Sequence, residues 1–285
     1  MLKLIECPRD AMQGLKEFVP TETKAAYINQ LLKVGFDTID FGSFVSPKAI
    51  PQMRDTAEVL QSLDLGSTRS KLLAIVANQR GANDAARFDE ITCLGYPFSI
   101  SETFQIRNTN ATIEESLVRV AEIQEICLST GKTLVVYISM GFGNPYGDPW
   151  NAEIVIQWVD KLSDMGIKIL QISDTIGVSN PDNISYLFSK LVPYYQPKNV
   201  EIGAHLHTEP HNWQEKIAAA WNNGCRRFDG AIKGFGGCPM AKDDLTGNMP
   251  TENMVGFFNR AGIDNGIDMT EFRRAMEMAL EVFPH

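Results

Sequence analysis

The chain has 285 residues, 44% of them hydrophobic, and a formal net charge of −9. That is apolar enough for a large buried core, and the acidic balance argues against a nucleic-acid or anionic-membrane partner while leaving room for a phosphorylated ligand held by local donors. Five cysteines (Cys7, Cys93, Cys127, Cys225 and Cys238) lack paired spacing, which fits a reducing compartment better than a disulfide framework. No apolar run approaches the roughly 18 residues of a membrane span. A strand-like segment follows Met1 directly, where a leader would stand. A cytoplasmic protein without a membrane partner is expected.

Strand-like and helix-like segments alternate along the whole sequence. The first are a strand at Leu2 to Cys7, a helix at Thr21 to Val34, a strand at Phe36 to Phe41 and a helix at Ile50 to Leu63, with Pro51 in its first turn. Strands at Lys71 to Ala77 and Glu90 to Cys93 flank a short helix at Gly81 to Phe88, and Tyr96 to Ile100 adds a further extended stretch. Thr112 with Glu115 three residues on signals a capped helix reaching about Ser129. The pattern continues with a strand at Thr133 to Ser139, a helix at Trp150 to Met165 ending at Gly166, and a strand at Lys168 to Ser173. A helix at Asn180 to Val192, a strand at Val200 to Ala204, a helix at Asn212 to Asn223 and a strand at Arg226 to Gly230 follow. Two helices, Thr251 to Ala261 and Thr270 to Val282, close the sequence.

Eight strands, each followed by a helical segment with no low-complexity linker, predict one (β/α)8 TIM-barrel domain over residues 1–285. An open doubly wound sheet is the competing arrangement, with its site at a topological switch point. The polar residues separate the two. Asp10, Asp40, Ser139, Asp174, His205, His207 and Asp229 fall at or just past the C-terminal ends of different strands, and only a closed barrel brings those ends to one mouth.

His205 and His207 lie one residue apart at the end of an apolar run, on one face of a strand because side chains alternate. With the Asp10 carboxylate and the Asn248 amide oxygen they form a mixed nitrogen and oxygen set, suited to octahedral Mg²⁺ or Mn²⁺ with open positions for substrate, and zinc is also compatible. The other reading puts one imidazole in the core and one in a loop hydrogen bond. Arg9, next to Asp10, either stabilises an enolate or carboxylate oxygen or makes a structural ion pair. Gly234 to Pro239 combines a glycine run with Cys238, which reads as a lid carrying a reactive thiol or as a turn with an inert one. Asp174 follows a strand and either orients a ligand, transfers a proton or bonds a barrel neighbour; Asp40 and Asp229 share that ambiguity.

Taken together, these segments resemble the hydroxymethylglutaryl-CoA lyase branch of the metal-dependent lyase and Claisen-synthase barrels. The resemblance runs in order over nearly the whole chain. It rests on Pro8 to Gln13, Ser43 to Lys48, Pro51 to Met53, Ser101 to Phe104, Asn108 to Asn110, Ile113 to Ser116 and Asp174 to Val178, and on His205-Leu206-His207, Gly236 to Pro239 and Gly247 to Glu252. It implies cleavage of a 3-hydroxy-3-methylglutaryl thioester to acetyl-CoA and acetoacetate. Asp10, His205, His207 and Asn248 would ligate the metal, Arg9 would stabilise the enolate, and Cys238 would close over the site and help proton transfer. Asp40 and Asp174 match active-site carboxylates, and Glu252 a residue supporting the metal-ligand loop. Lys48, Arg107 and Asn110 match polar positions near the loops that bind the CoA thioester. A homodimer is the expected assembly.

The chain also departs from the family pattern. Asp40 replaces a longer glutamate, Gln171 a serine, Asn144 a cysteine and Met240 a tyrosine; Thr208-Glu209-Pro210 stands where Asp-Thr-Tyr is usual. Glu6 sits one position off the acidic residue that normally precedes Arg-Asp, which turns it away from the mouth. A related lyase or aldolase, or a Claisen-type synthase, acting on another 3-hydroxyacyl thioester or hydroxy acid is the alternative. A non-enzymatic metal-binding barrel is the alternative of a different class; it predicts the loss of a ligand or of Arg9, and all are present.

Overall fold

The computed structural model describes residues 1–237 and 246–283. Eight parallel strands, β1 (Lys3–Glu6), β2 (Thr38–Ser43), β3 (Lys71–Ile75), β4 (Ile91–Ser99), β5 (Thr133–Ser139), β6 (Ile169–Ser173), β7 (Glu201–His205) and β8 (Arg227–Gly230), pair in sequence order, and β8 returns to β1. The sheet therefore closes into the TIM barrel that the strand–helix alternation predicts.

Eleven α-helices lie among the described residues. They are α1 (Pro8–Gln13), α2 (Thr21–Val34), α3 (Thr56–Gln61), α4 (Gln79–Ala86), α5 (Glu102–Thr109), α6 (Ile113–Thr130), α7 (Ala152–Asp164), α8 (Pro181–Tyr195), α9 (Trp213–Asn222), α10 (Thr251–Arg260) and α11 (Met269–Val282). The Thr112 to Glu115 signal is realised as a reciprocal capping box at the start of α6, and Gly131 ends that helix in the left-handed region. No helix among the described residues is long and apolar enough to cross a membrane.

Three local readings differ from the pattern. The segment Glu90 to Ile100 is one nine-residue strand, β4, where the sequence suggested two pieces. Gly95 at its centre looks like a break, but its bare Cα makes room in the lumen: a Cβ there would lie 2.5 Å from Ile75 Cδ1 and 3.2 Å from Tyr137 Cε2. The helix expected from Ile50 to Leu63 is split into a 3₁₀ turn, Pro51–Met53, and α3. The break falls at Asp55, whose carboxylate accepts from Lys24 Nζ (2.7 Å) and Thr21 Oγ1 (2.8 Å); these long-range bonds override local periodicity. Finally, α1 and α5 occupy segments that the periodicity left unassigned. Ser101 caps α5 by accepting from Phe104 N–H.

Alternation along the strands sends one set of side chains to the helices and the other into the lumen. The outward set joins the large core that packs beneath the helices. On the β3–β5 side the lumen is filled by Leu73, Ile75, Cys93, Val135 and Tyr137. On the β6–β8 side it is polar: Gln171 donates to Asp229, and Arg227 lies 3.6 Å from Asp37. Gly203 admits this arrangement, because a Cβ there would collide with the Gln171 amide.

Candidate active site

The strand ends bring the predicted polar residues to one mouth. Asp10 sits on α1, immediately after β1, and its carboxylate oxygen lies within 4.8 Å of ring nitrogens of His205 and His207, which are likewise within 4.8 Å of each other. Asn248 reaches the same point from the loop after β8. Its segment bridges to His207 in antiparallel fashion, with Met249 N–H donating to Leu206 O and Thr208 N–H to Gly247 O, each 3.0 Å. The Asn248 amide donates through Nδ2 to Asp10 Oδ2 (2.7 Å) and to Phe235 O (2.9 Å), which leaves the carbonyl oxygen as the atom it offers a ligand.

This donor set fits a divalent ion. Bonds of about 2.0–2.2 Å to one ion put ligand atoms within roughly 4.4 Å of each other, so a small closing movement is enough. His207 Nδ1 is buried without a hydrogen-bond partner among the described residues, so this ring has an unpaired polar atom beside the cluster. Burial, aided by neighbouring His205, pushes the His207 imidazole down to about 4, so it stays in the neutral form that binds metals. Burial works against the Asp10 charge, but Arg9, His205 and the Asn248 bond together hold the carboxyl below its ordinary value. His205 Nδ1 faces Asp229 Oδ2 at 3.1 Å, a carboxylate–imidazole contact that fixes the ring; Gln171 holds the other carboxylate oxygen.

Arg9 is buried and clamped. Its Nε and Nη2 donate to the Asp40 carboxylate, the latter at 2.5 Å, and Nη1 donates to Asp10 Oδ1 (3.0 Å) and Gln13 Oε1 (2.9 Å). Burial disfavours the guanidinium charge, and Asp40 and Asp10 more than restore it. These bonds occupy four of the five N–H groups and leave one on Nη2. Burial raises the Asp40 carboxyl to about 6, against the opposing pull of Arg9.

Asp174, just past β6, is fully engaged. It accepts from Lys216 Nζ (3.0 Å), Ser179 Oγ (2.5 Å) and Ser179 N–H (3.2 Å). Lys216, 1% exposed, also donates to His207 O (2.9 Å) and Gly177 O (3.1 Å), so it ties α9 to both mouth loops. The sequence reading missed it, although it left a trace: a lysine beside Ile217 and Ala220 on the buried stripe of α9. Glu6 points away from the mouth, as its offset position predicts. It accepts from Ile232 N–H (2.8 Å) and Thr251 Oγ1 (2.6 Å), and burial raises its carboxyl to about 8. Glu252 accepts from Lys233 N–H (2.9 Å) and so braces the turn between β8 and the Asn248 loop.

The glycine run meets the site from above. Gly236 has φ +90°, and a Cβ there would lie 2.7 Å from Asp10 O and 2.9 Å from Asn248 Nδ2. Cys238 lies outside the described residues. Lys48, Arg107 and Asn110 do not join the buried cluster. They are exposed on segments that follow β2 and β4: Arg107 lies over the Tyr146 ring at 4.8 Å, and Asn110, at φ +50°, caps α5.

The HMGL-like family profile matches residues 3–279. The chain belongs to the HMGL-like family. It is 32% identical to the mitochondrial hydroxymethylglutaryl-CoA lyase of Gallus gallus over 94% of this chain and 89% of that protein. With the hydroxymethylglutaryl-CoA lyase of Bacillus subtilis it shares 32% identity over 94% of this chain and 88% of that one. The solved B. subtilis HMG-CoA lyase superposes with a TM-score of 0.90 at 30% identity, covering 98% of this chain and 93% of that one. Membership of the HMGL-like family and these relatives make the chain a carbon–carbon lyase, and the Asp10, His205 and His207 cluster stands where a barrel lyase does its chemistry.

Proposed function

We propose that this HMGL-like lyase cleaves 3-hydroxy-3-methylglutaryl-CoA to acetyl-CoA and acetoacetate, using Mg²⁺ or Mn²⁺ held by Asp10, His205, His207 and Asn248. The observation that carries the reading is the convergence of ligand atoms from Asp10, His205 and His207 beside a charged Arg9. When bound, the ion polarises the substrate's hydroxyl and carboxylate oxygens and eases loss of the hydroxyl proton. Arg9 offers its remaining Nη2 hydrogen to the thioester oxygen as the enolate of acetyl-CoA develops, and Asp40 keeps that guanidinium in place. Asp229 orients His205, while Asp174 acts through Lys216 on the backbone of His207. Cys238, following the glycines that seat against Asp10, is the proposed proton-transfer thiol.

Lys48, Arg107 and Asn110 are proposed to meet the CoA portion on the exposed rim. A solved HMG-CoA lyase from Acinetobacter baumannii, with a TM-score of 0.92 and 30% identity over 100% of this chain and 92% of that one, is in complex with coenzyme A and 3-methylmalate. This supports a CoA thioester of a small oxygen-rich acid as the substrate class. A cytoplasmic homodimer acting as one domain completes the proposal, and light scattering on the purified protein tests the dimer.

The deciding experiment measures acetoacetate release from hydroxymethylglutaryl-CoA by chelator-treated protein, with and without added Mg²⁺ or Mn²⁺. Turnover that returns with the ion supports the reading. Ion binding without turnover moves the substrate to another 3-hydroxyacyl thioester, a second reading favoured by Gln171, whose amide crosses the lumen beneath the site.

A further inference from the structure

A second set of ligand atoms lies on the lumen side of the first. Cys7, His205 and Asp229 each offer one donor atom, all within 4.8 Å of one another, and His205 belongs to both sets. The Nδ1 of His205 faces Asp229. A neutral imidazole has one unprotonated ring nitrogen, so His205 serves one ion at a time.

Cys7 and Asp229 are 1% and 2% exposed, which leaves the barrel mouth as the route of entry. Among the described residues the Cys7 thiol has no hydrogen-bond partner. Asp229, Asp40, Asp10 and Glu6 lie close enough to act on it, and these four carboxyl groups outnumber the two nearby guanidinium groups, Arg9 and Arg227. The pocket therefore favours a cation. A thiol, an imidazole and one carboxylate select thiophilic and borderline ions over the hard ions that suit the all-nitrogen-and-oxygen set above.

We propose that Cys7, His205 and Asp229 form a second metal position, which takes a thiophilic divalent cation such as Zn²⁺ or Cd²⁺ and, by claiming His205, competes with the hard ion at the mouth. Binding there forms a metal–sulfur bond and releases the thiol proton to solvent. The barrel thus discriminates between ion classes by depth: the hard ion is held high, between Asp10 and His207, and the soft ion low, against Cys7. Chemistry that needs the upper ion is then inhibited by the lower one.

The test uses the full chain, stripped with chelator and titrated with Cd²⁺ while the ultraviolet thiolate-to-cadmium charge-transfer band is recorded. Wild-type protein is expected to develop the band with one equivalent. In C7S, and in C7A as a second variant, the band is expected to be lost and Cd²⁺ affinity to fall at least about tenfold. Mn²⁺ affinity, read by water-proton relaxation, stays within about twofold of wild type in variants whose near-ultraviolet circular dichroism is native. Cd²⁺ should displace Mn²⁺ from the wild type and fail to do so at the same concentration in C7S. A wild type without the band, a band of equal size and affinity in a folded Cys7 variant, or equal displacement of Mn²⁺ from both proteins would each overturn the proposal.

Discussion

The two sides of the barrel lumen are built on opposite principles. Across β3 to β5, Leu73, Ile75, Cys93, Val135 and Tyr137 interlock as an ordinary apolar filling, and Gly95 removes the one side chain that would not fit. Across β6 to β8 and back to β1, the same inward positions carry Gln171, Arg227, Asp229, His205 and Cys7. An apolar wall is stabilised by burial alone, whereas a polar wall is stable only when each group finds a partner. The polar side is incompletely satisfied: Gln171 Oε1, and Nε and Nη2 of Arg227, have none among the described residues. One wall supports the sheet, and the other keeps strong donors and acceptors close to the chemistry at some expense to the fold.

Substitutions separate the two walls. The largest effect is expected from R9Q, which should lower acetoacetate-forming turnover by about 10²–10³, the loss typical of one electrostatic stabiliser, with little change in Mn²⁺ affinity; unchanged turnover would remove Arg9 from the chemistry. K216M strands the buried Asp174 carboxylate and should lower unfolding free energy by about 3–5 kcal/mol in denaturant titrations. Adding D174N should recover much of that loss. Equal losses in the single and double variants would mean that the pair is not coupled. On the apolar wall, L73A should cost about 2–5 kcal/mol of stability while the remaining folded protein keeps its turnover. A selective loss of activity would show that this wall also shapes the site.

The last effect is a slope with pH. Glu6 titrates near 8 in the folded protein against an ordinary 4.5, so between those values the folded state holds a proton that the unfolded chain has released. Its contribution therefore falls as pH rises from about 5 to 8 and is flat above that. E6Q should flatten this part of the stability–pH curve and leave ion binding unchanged. A curve of wild-type steepness would mean that other groups set the slope.

The barrel was legible because alternating apolar segments leave little else for the chain to form, and the mouth because carboxylates and imidazoles recur at strand ends. Closure brings His205 and His207 to Asp10, although β7 ends at His205 and His207 sits just beyond it in the bridge to Asn248, so shared strand periodicity covers only the first of the two. What sequence could not show depends on contacts between distant segments. The break at Asp55 is set by Lys24, a residue on another helix. Asp174 reads as an available carboxylate until Lys216 arrives from α9 and Ser179 from its own loop. Gly95 imitates a strand end because only its neighbours on β3 and β5 reveal the space it vacates.

Gly236 has one more consequence. Its bare Cα rests against the backbone of Asp10 and the amide of Asn248, two of the groups proposed to hold the ion. Ion loading and the seating of residues 234–237 therefore share a coupling free energy, and coupling is reciprocal: whatever tightens one tightens the other by the same factor. A side chain at position 236 would act as a spacer in that linkage, weakening ion retention without touching a single ligand atom.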